Sequence, residues 1–483
     1  LCPFVATHAR LVDLQSAAVA GSALEAQLEL LLAQGDAGIQ QLCCRGGWVG
    51  DGGKGAERGG PVDDGLCWPQ GSASDFATYA RCCYAHLRIA LAKSPPAWML
   101  AEVDEDLAPW QSRRIMHDDL QNMQRDWGHV YCRFRVDGEH IATCDRHRIE
   151  GLRDDHNGEA EGQFKALGRA ARILAANGLL PDGLEFFVST QLYDFLETPA
   201  PAFTKARTAF AQGHVRVPSY ELFEPWVDRM HEEQVVDWDD KVPKLFWRGG
   251  MRSFNSCPCP SSRMQWPRQW RPFNMSRLLS GQHLAPSGCH DLPPSVCRKA
   301  EAQPELCRCH RHITNATTFE MSNRVRLCEL ARLHPSLIDA KLSYIPEPGY
   351  SSIAGACRER GYLAEFSRPA SQAGFRYLIS TDGSTIDDTR IYWALSTGSL
   401  VFKQITPLLP YGVPGLRPWE HFVPVREDLA DLPAKIRWAQ RHDATCRQMA
   451  QRSLEFARVF FTQEQVLRYL HVALHRYAEL LAT

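Results

Sequence analysis

Lys244-Leu245-Phe246-Trp247-Arg248-Gly249-Gly250 is the stretch on which the reading of the fold turns. It is an apolar strand run, then an arginine, then a pair of glycines. A second block further along has the same grammar. It runs from Phe375-Arg376-Tyr377-Leu378-Ile379 through Asp382-Gly383 and Arg390 to Gly398-Ser399-Leu400-Val401-Phe402-Lys403. A strand that ends in a Gly turn brings backbone N–H groups and an arginine fork to one place, and such a place suits a diphosphate. Together the blocks suggest the grip of a nucleotide-sugar.

Around these blocks, strand-like and helix-like runs alternate. His129–Val136 and Leu184–Thr190 read as strands, and Glu161–Asn177 as a helix closed by Gly178. Arg324–Leu333 reads as a helix, Tyr377–Ser380 as a strand, Thr389–Thr397 as a helix and Ser399–Phe402 as a strand. Alternation of this kind argues for an α/β fold with parallel sheets. Residues 1–110 read as a helical, Cys-rich start, 111–242 as a first α/β domain and 243–445 as a second. The second is interrupted by a Pro-, Cys- and Arg-rich insertion, 254–313. Residues 446–483 read as helices, with Thr462…Gln465 as a capping box for the last of them.

The chain has 483 residues, too many for one ordinary core. Lys plus Arg is 54 and Asp plus Glu is 56, a formal net charge of −2, which argues against general nucleic-acid or membrane-surface binding. There are 17 cysteines, an odd number, so at least one thiol is unpaired or bonds another chain. Sequons stand at Asn274 and Asn315. Cysteines and sequons together favour the lumen of the endoplasmic reticulum or Golgi, or secretion. The Ala- and Leu-rich stretch Leu11–Leu32 carries Asp13, Glu25 and Glu29 and reads as an amphipathic helix. Any membrane attachment is expected only through a leader or anchor outside the sequence. The C-terminus has no KDEL-type retention signal.

The quoted blocks resemble glycosyltransferase family 90, which includes the Rumi-like protein O-glucosyltransferases and fungal capsule xylosyltransferases. The pieces run in family order: Leu180-Pro-Asp, Ala202-Phe203-Thr204-Lys205, Phe246-Trp247-Arg248-Gly249, Asp382-Gly383, Arg390, Gly398-Ser399-Leu400-Val401, Pro418-Trp419-Glu420-His421 through Val425, Asp428-Leu…Asp431-Leu432 and Trp438. The resemblance implies a GT-B fold, two Rossmann-like domains facing a cleft with a C-terminal helical segment returning to the first. It implies transfer of glucose or xylose from a UDP-sugar to a hydroxyl of a protein or glycan, with no metal cofactor and no nucleic-acid partner.

Without a metal, arginines and backbone N–H groups must stabilise a departing diphosphate. Arg390 matches the family's diphosphate arginine. Arg248 and Gly249 stand at the first Gly pair, and Arg252 is the candidate for a second family arginine, offset by one residue. Asp382, Gly383, Gly398 and Ser399 are further candidates for the nucleotide-sugar cleft. Trp419 and Glu420 could stack on or hold the nucleoside, with packing as the alternative. The family's general base follows the strand Glu185–Ser189, and the nearest carboxylate here is Asp194. If Asp194 does not serve, the chain is a UDP-sugar- or glycan-binding homologue with weak or no turnover. Two rival signals remain: an acidic Asp237-Trp-Asp239-Asp240 triplet, and a zinc staple from Cys257, Cys259, Cys307, Cys309 and His310 that would make the chain an interaction protein.

Overall fold

The computed structural model describes residues 73–128, 131–144, 159–189, 198–208, 213–223, 236–251, 254–256, 310–312, 323–345, 351–383, 388–406, 408–412, 415–426 and 428–482. Asp194, Arg252, the Leu11–Leu32 stretch, both sequons and the cysteines of the 254–313 insertion lie outside these residues.

Two five-stranded sheets organise the chain. The first is built from β1 (Tyr131–Asp137), β2 (His140–Thr143), β3 (Glu185–Ser189), β4 (Ala202–Thr204) and β6 (Val215–Arg216), in the order β2-β1-β3-β4-β6. It is mixed: β1 runs antiparallel to β2 and β3, while β3, β4 and β6 are parallel. A disulfide joins Cys132 on β1 to Cys144 just beyond β2, and Cys82 and Cys83 are also disulfide-bonded. Cys328, Cys357 and Cys446 are free and buried. Helices α1 (Ala73–Cys83), α2 (Ala97–Asp106), α3 (His117–Trp127) and α4 (Glu159–Ala176) belong to this half. Phe134, Phe164, Phe186 and Phe203 stack in its core.

The second sheet is wholly parallel. Its strands are β7 (Val242–Gly250), β10 (Ile338–Tyr344), β11 (Phe375–Ser380), β12 (Leu400–Gln404) and β14 (Val423–Val425), in the order β10-β7-β11-β12-β14. The short antiparallel pair β8 (Phe254–Ser256) and β9 (His310–His312) closes the neck of the insertion. Helices α5 (Asn323–Leu333), α6 (Ser351–Glu359) and α8 (Leu432–Arg441) share a core with Leu245, Trp247, Tyr377 and Phe402 on one face. Helix α7 (Asp388–Leu395) shares the other core with Phe246, Leu378 and Val401. Strands covered on both faces read as continuous apolar runs, which is why Tyr377–Ser380 and Leu400–Phe402 were legible. The Gly249-Gly250 pair differs from the expected turn. Both residues continue β7 and pair with Leu342 and Tyr344 of β10.

Helix α9 (Asp443–Phe460) packs on β12, and α10 (Gln463–Leu480) returns to the first half, where Tyr477 meets Phe203 edge-on. Thr462 Oγ1 accepts the Gln465 N–H at 3.4 Å. The capping box stays half made, because Gln465 Oε1 has no hydrogen-bond partner among the described residues. The two halves are stitched a second time by β5 (Ala206–Thr208) and β13 (Leu408–Pro410), which pair antiparallel.

Beside that stitch lies a buried charge cluster. Asp106 on α2 accepts from Arg207 Nε at 2.8 Å and from the Arg216 backbone N–H at 2.8 Å, and its Oδ1 lies 2.9 Å from Arg216 Nη2. Glu102, one turn earlier, accepts from the Gly412 N–H at 3.0 Å and lies 3.6 Å from Arg216 Nε. Burial pushes the Glu102 carboxyl up to about 8, against the pull of Arg216. An unfolded glutamate ionises near 4.5, so over this window the folded state holds the extra proton. The stability that goes with it is full below about 4.5 and is lost as pH rises through about 8. Glu102→Gln, which keeps an oxygen for Gly412, is therefore expected to gain in Tm over the native chain between pH 5 and pH 9. A Tm advantage that shrinks with pH would show that Glu102 is ionised in the fold.

Candidate functional site

In the second sheet the chain leaves β7 sideways to β10, then crosses back to place β11 on the other flank of β7. The carboxyl ends of β7 and β11 thus border the point where strand order reverses, and open α/β sheets bind ligands in the crevice outside that point. Because every strand is parallel, Gly250, Tyr344, Ser380, Gln404 and Val425 all end on this one edge.

Trp247 sits fully buried near the tip of β7. Its ring lies over Gly249, where a Cβ would come 2.6 Å from Trp247 Cζ2, so only glycine fits. Arg324, in the first turn of α5, donates from Nη1 to Gly250 O at 2.8 Å and from Nη2 to Thr381 O at 3.1 Å. Its guanidinium therefore spans the tips of β7 and β11, 5.7 Å from the Trp247 ring centroid. Arg390, in the first turn of α7, donates from Nη2 to Arg248 O at 2.7 Å and from Nη1 to Gln372 Oε1 at 3.2 Å. It lies 5.6 Å from the Trp247 ring and 5.4 Å from that of Trp393. Two guanidiniums thus meet around one indole at the reversal point. Trp247 Nε1 and Thr381 Oγ1, both buried there, have no hydrogen-bond partner among the described residues. Buried donors and hydroxyls ordinarily have one.

The sequence candidates fall into two groups. Arg248, Gly249, Asp382, Gly383 and Arg390 stand at the carboxyl edge. The Asp382 N–H donates to Gln404 Oε1 at 3.0 Å, and its carboxylate accepts from the Thr406 hydroxyl, so the Asp382-Gly383 turn is clamped to the end of β12. Arg248 makes a 2.8 Å ion pair with Asp339 and stacks on Phe246. Asp339 thus offsets the Arg248 charge next to the crevice.

Gly398, Ser399, Trp419 and Glu420 stand apart from this group, at the amino edge of the sheet. Gly398, with φ of 67°, and Ser399 enter β12 at its amino end, a strand's length from the crevice. Ser399 Oγ donates to Phe375 O at 2.7 Å and accepts from Lys241 Nζ at 3.1 Å. Burial lowers Lys241 to about 8. Trp419 and Glu420 precede the amino end of β14. Trp419 packs edge-on against Trp438, 5.2 Å between centroids, and Glu420 pairs with Arg417. His421 accepts the Arg417 N–H at 2.9 Å, and burial pushes it down to about 4. Asp237-Trp238-Asp239-Asp240 also lies at the amino edge, before β7. Trp238 Nε1 donates to Asp443 at 3.2 Å, and Asp239 pairs with Arg447 at 3.1 Å, so the triplet fixes a short helical turn.

Arg324 and Thr381 were not singled out from sequence. Arg324 lies in the first turn of a mixed polar and apolar helix far from Trp247 in the chain, beyond the Cys-rich insertion, and nothing local marks it as the companion of Arg390.

Residues 316–483 match the family model described as Glycosyl transferase family 90. Protein O-glucosyltransferase 2 of Danio rerio is 31% identical over 161 residues, which is 33% of this chain and 31% of that protein. Protein O-glucosyltransferase 3 of Homo sapiens is 27% identical over 157 residues, 32% of this chain and 29% of that protein. Protein O-glucosyltransferase 1 of Homo sapiens is 24% identical over 316 residues, 64% of this chain and 66% of that protein. The matches to the first two span about a third of the length of each relative.

Proposed function

We infer, from residues 316–483 being a glycosyl transferase family 90 segment, that the chain transfers a sugar from a nucleotide donor to a hydroxyl of a protein. Glucose or xylose from a UDP-sugar is the donor chemistry we propose, with a GT-B arrangement of the two sheets about a cleft. The single observation that carries the reading is the pair of guanidiniums, Arg324 and Arg390, held around Trp247 where strand order reverses.

Sugar transfer breaks the bond between the anomeric carbon and the diphosphate, so negative charge grows on the departing phosphate oxygens. Donors fixed beforehand toward that charge lower the barrier, because nothing need reorganise as it forms. Carbonyl and amide oxygens anchor Arg324 and Arg390 at the strand tips, which supports a metal-independent leaving-group site. The acceptor hydroxyl needs a base, and Asp194 is proposed for it, giving inversion at the anomeric carbon. The disulfide of Cys132 with Cys144 supports a secretory-pathway lumen or secretion. Among the described residues no helix is long and apolar enough to cross a membrane.

The test is UDP release from UDP-glucose, UDP-xylose, UDP-galactose and UDP-N-acetylglucosamine in EDTA, with and without candidate acceptor proteins. One productive donor, with turnover lost in Asp194→Asn, is the expected result. UDP binding without turnover on any donor or acceptor would make the chain a binding homologue. Absence of UDP binding would overturn the reading.

A further inference from the structure

Tyr344 closes β10, and its Cα is level with that of Gly250 at the end of β7. The Met251 N–H donates to Tyr344 O at 2.7 Å, which fixes the tyrosine backbone to the strand that carries Trp247. A Cβ on Gly250 would come 3.5 Å from Tyr344 Cδ1, so the ring lies against Gly250. Gly250 O in turn takes the Arg324 guanidinium at 2.8 Å. One glycine therefore lies between the phenol ring and the cation at the reversal point. Ala340 and Leu342, the preceding alternate residues of β10, are buried, whereas Tyr344 is 53% exposed. A lone exposed aromatic calls for no explanation in itself, but this one stands beside the arginine pair.

A nucleotide-sugar held by its diphosphate at the β7–β11 junction has two ends to place. β13, which pairs with β5 of the first half, follows β12 from this same carboxyl edge. The first half, where Asp194 is proposed to activate the acceptor, therefore meets the edge on its β12 side. β10 lies three places from β12 in the sheet, about 15 Å at the ordinary strand spacing. The sugar then belongs toward β12 and the nucleoside toward β10, where Tyr344 stands. We propose that the pyrimidine base of the donor stacks on the Tyr344 ring. The inference rests on the donor reading above and deepens it by assigning the nucleoside end of the site. Every base has a π-face, so such a contact supplies affinity and not choice among bases.

The test measures the affinity of the native chain, Tyr344→Ala and Tyr344→Phe for UDP, UDP-glucose and pyrophosphate by calorimetry, alongside thermal unfolding without ligand. Tyr344→Ala is expected to weaken UDP and UDP-glucose alike by about tenfold, the scale of one lost base–aromatic stack, and to leave pyrophosphate unchanged. Tyr344→Phe keeps the ring and is expected to match the native chain. Tyr344→Leu, which keeps apolar bulk without a flat ring, repeats the measurement should the alanine variant lose Tm. Native UDP affinity in the variants that lack the ring would overturn the inference while leaving the donor reading intact. A loss confined to UDP-glucose would put the ring at the sugar end, and equal losses of UDP and pyrophosphate would make it a support for Arg324; either overturns the assignment. If the native chain binds no UDP, the donor reading falls first and this inference with it.

Discussion

Arg390→Ala is expected to lower kcat/KM for the productive UDP-sugar by roughly two to three orders of magnitude, the usual effect of removing one fixed donor from a developing oxyanion. The size follows from how Arg390 is held. Its Nη2 is tied to Arg248 O and its Nη1 to Gln372 Oε1, and two indole rings bracket the guanidinium. A fork already fixed loses little freedom when a phosphate arrives. Lysine presents one point charge in place of a planar fork, so Arg390→Lys should recover little of the loss. Arg248→Ala should have a smaller effect on turnover, because Asp339 already neutralises that charge. Steady-state UDP release across these variants, with thermal scans to confirm folding, decides it. Turnover by a folded Arg390→Ala within a few-fold of the native chain would remove Arg390 from the chemistry.

The other large effect concerns stability. Asp106→Ala is expected to cost about 3–5 kcal/mol, because it leaves Arg207 and Arg216 buried beside one carboxylate fewer. The neighbouring arginines hold Asp106 below the usual carboxylate range despite its burial, so it is the ionised partner of the cluster, whereas burial keeps Glu102 protonated up to about 8. Asp106 also accepts the Arg216 backbone N–H, so the alanine variant orphans a buried donor as well as a charge. Glu102→Gln, one turn away, should be far milder near neutral pH. Urea titrations of both variants give the comparison, and an Asp106→Ala chain within about 1 kcal/mol of native would mean that the cluster relaxes without loss.

How much of this was legible depended on how local each signal was. The strands Phe375–Ser380 and Leu400–Gln404 and the helix opened by Asn323 announce themselves through apolar runs and period. The two glycines after Arg248 misled, because glycine in a strand can mark a turn or a close approach. Here the close approach is the Trp247 ring over Gly249. Gly398 and Ser399 do stand beside a strand, but at its entrance, and edge polarity follows from topology and not from composition. The companion of Arg390 was hidden for the same reason. Arg324 meets Trp247 only because β10 and β11 flank β7, an arrangement written in long-range pairing. The buried Glu102–Asp106–Arg216 cluster left no trace either, since Glu and Asp on a helix ordinarily signal a wet face.

The place of β7 between β10 and β11 also bears on how the chain is made. β7 is an interior strand, yet β11 follows it by well over a hundred residues. At ribosomal rates of about 5–20 residues per second, that is on the order of ten seconds during which Leu245, Phe246 and Trp247 have emerged without the neighbour that completes their ladder. Such a delay favours chaperone capture of the nascent strand. It also means that a fragment starting at the family boundary, residue 316, would be synthesised with β10 and β11 but without the strand that lies between them.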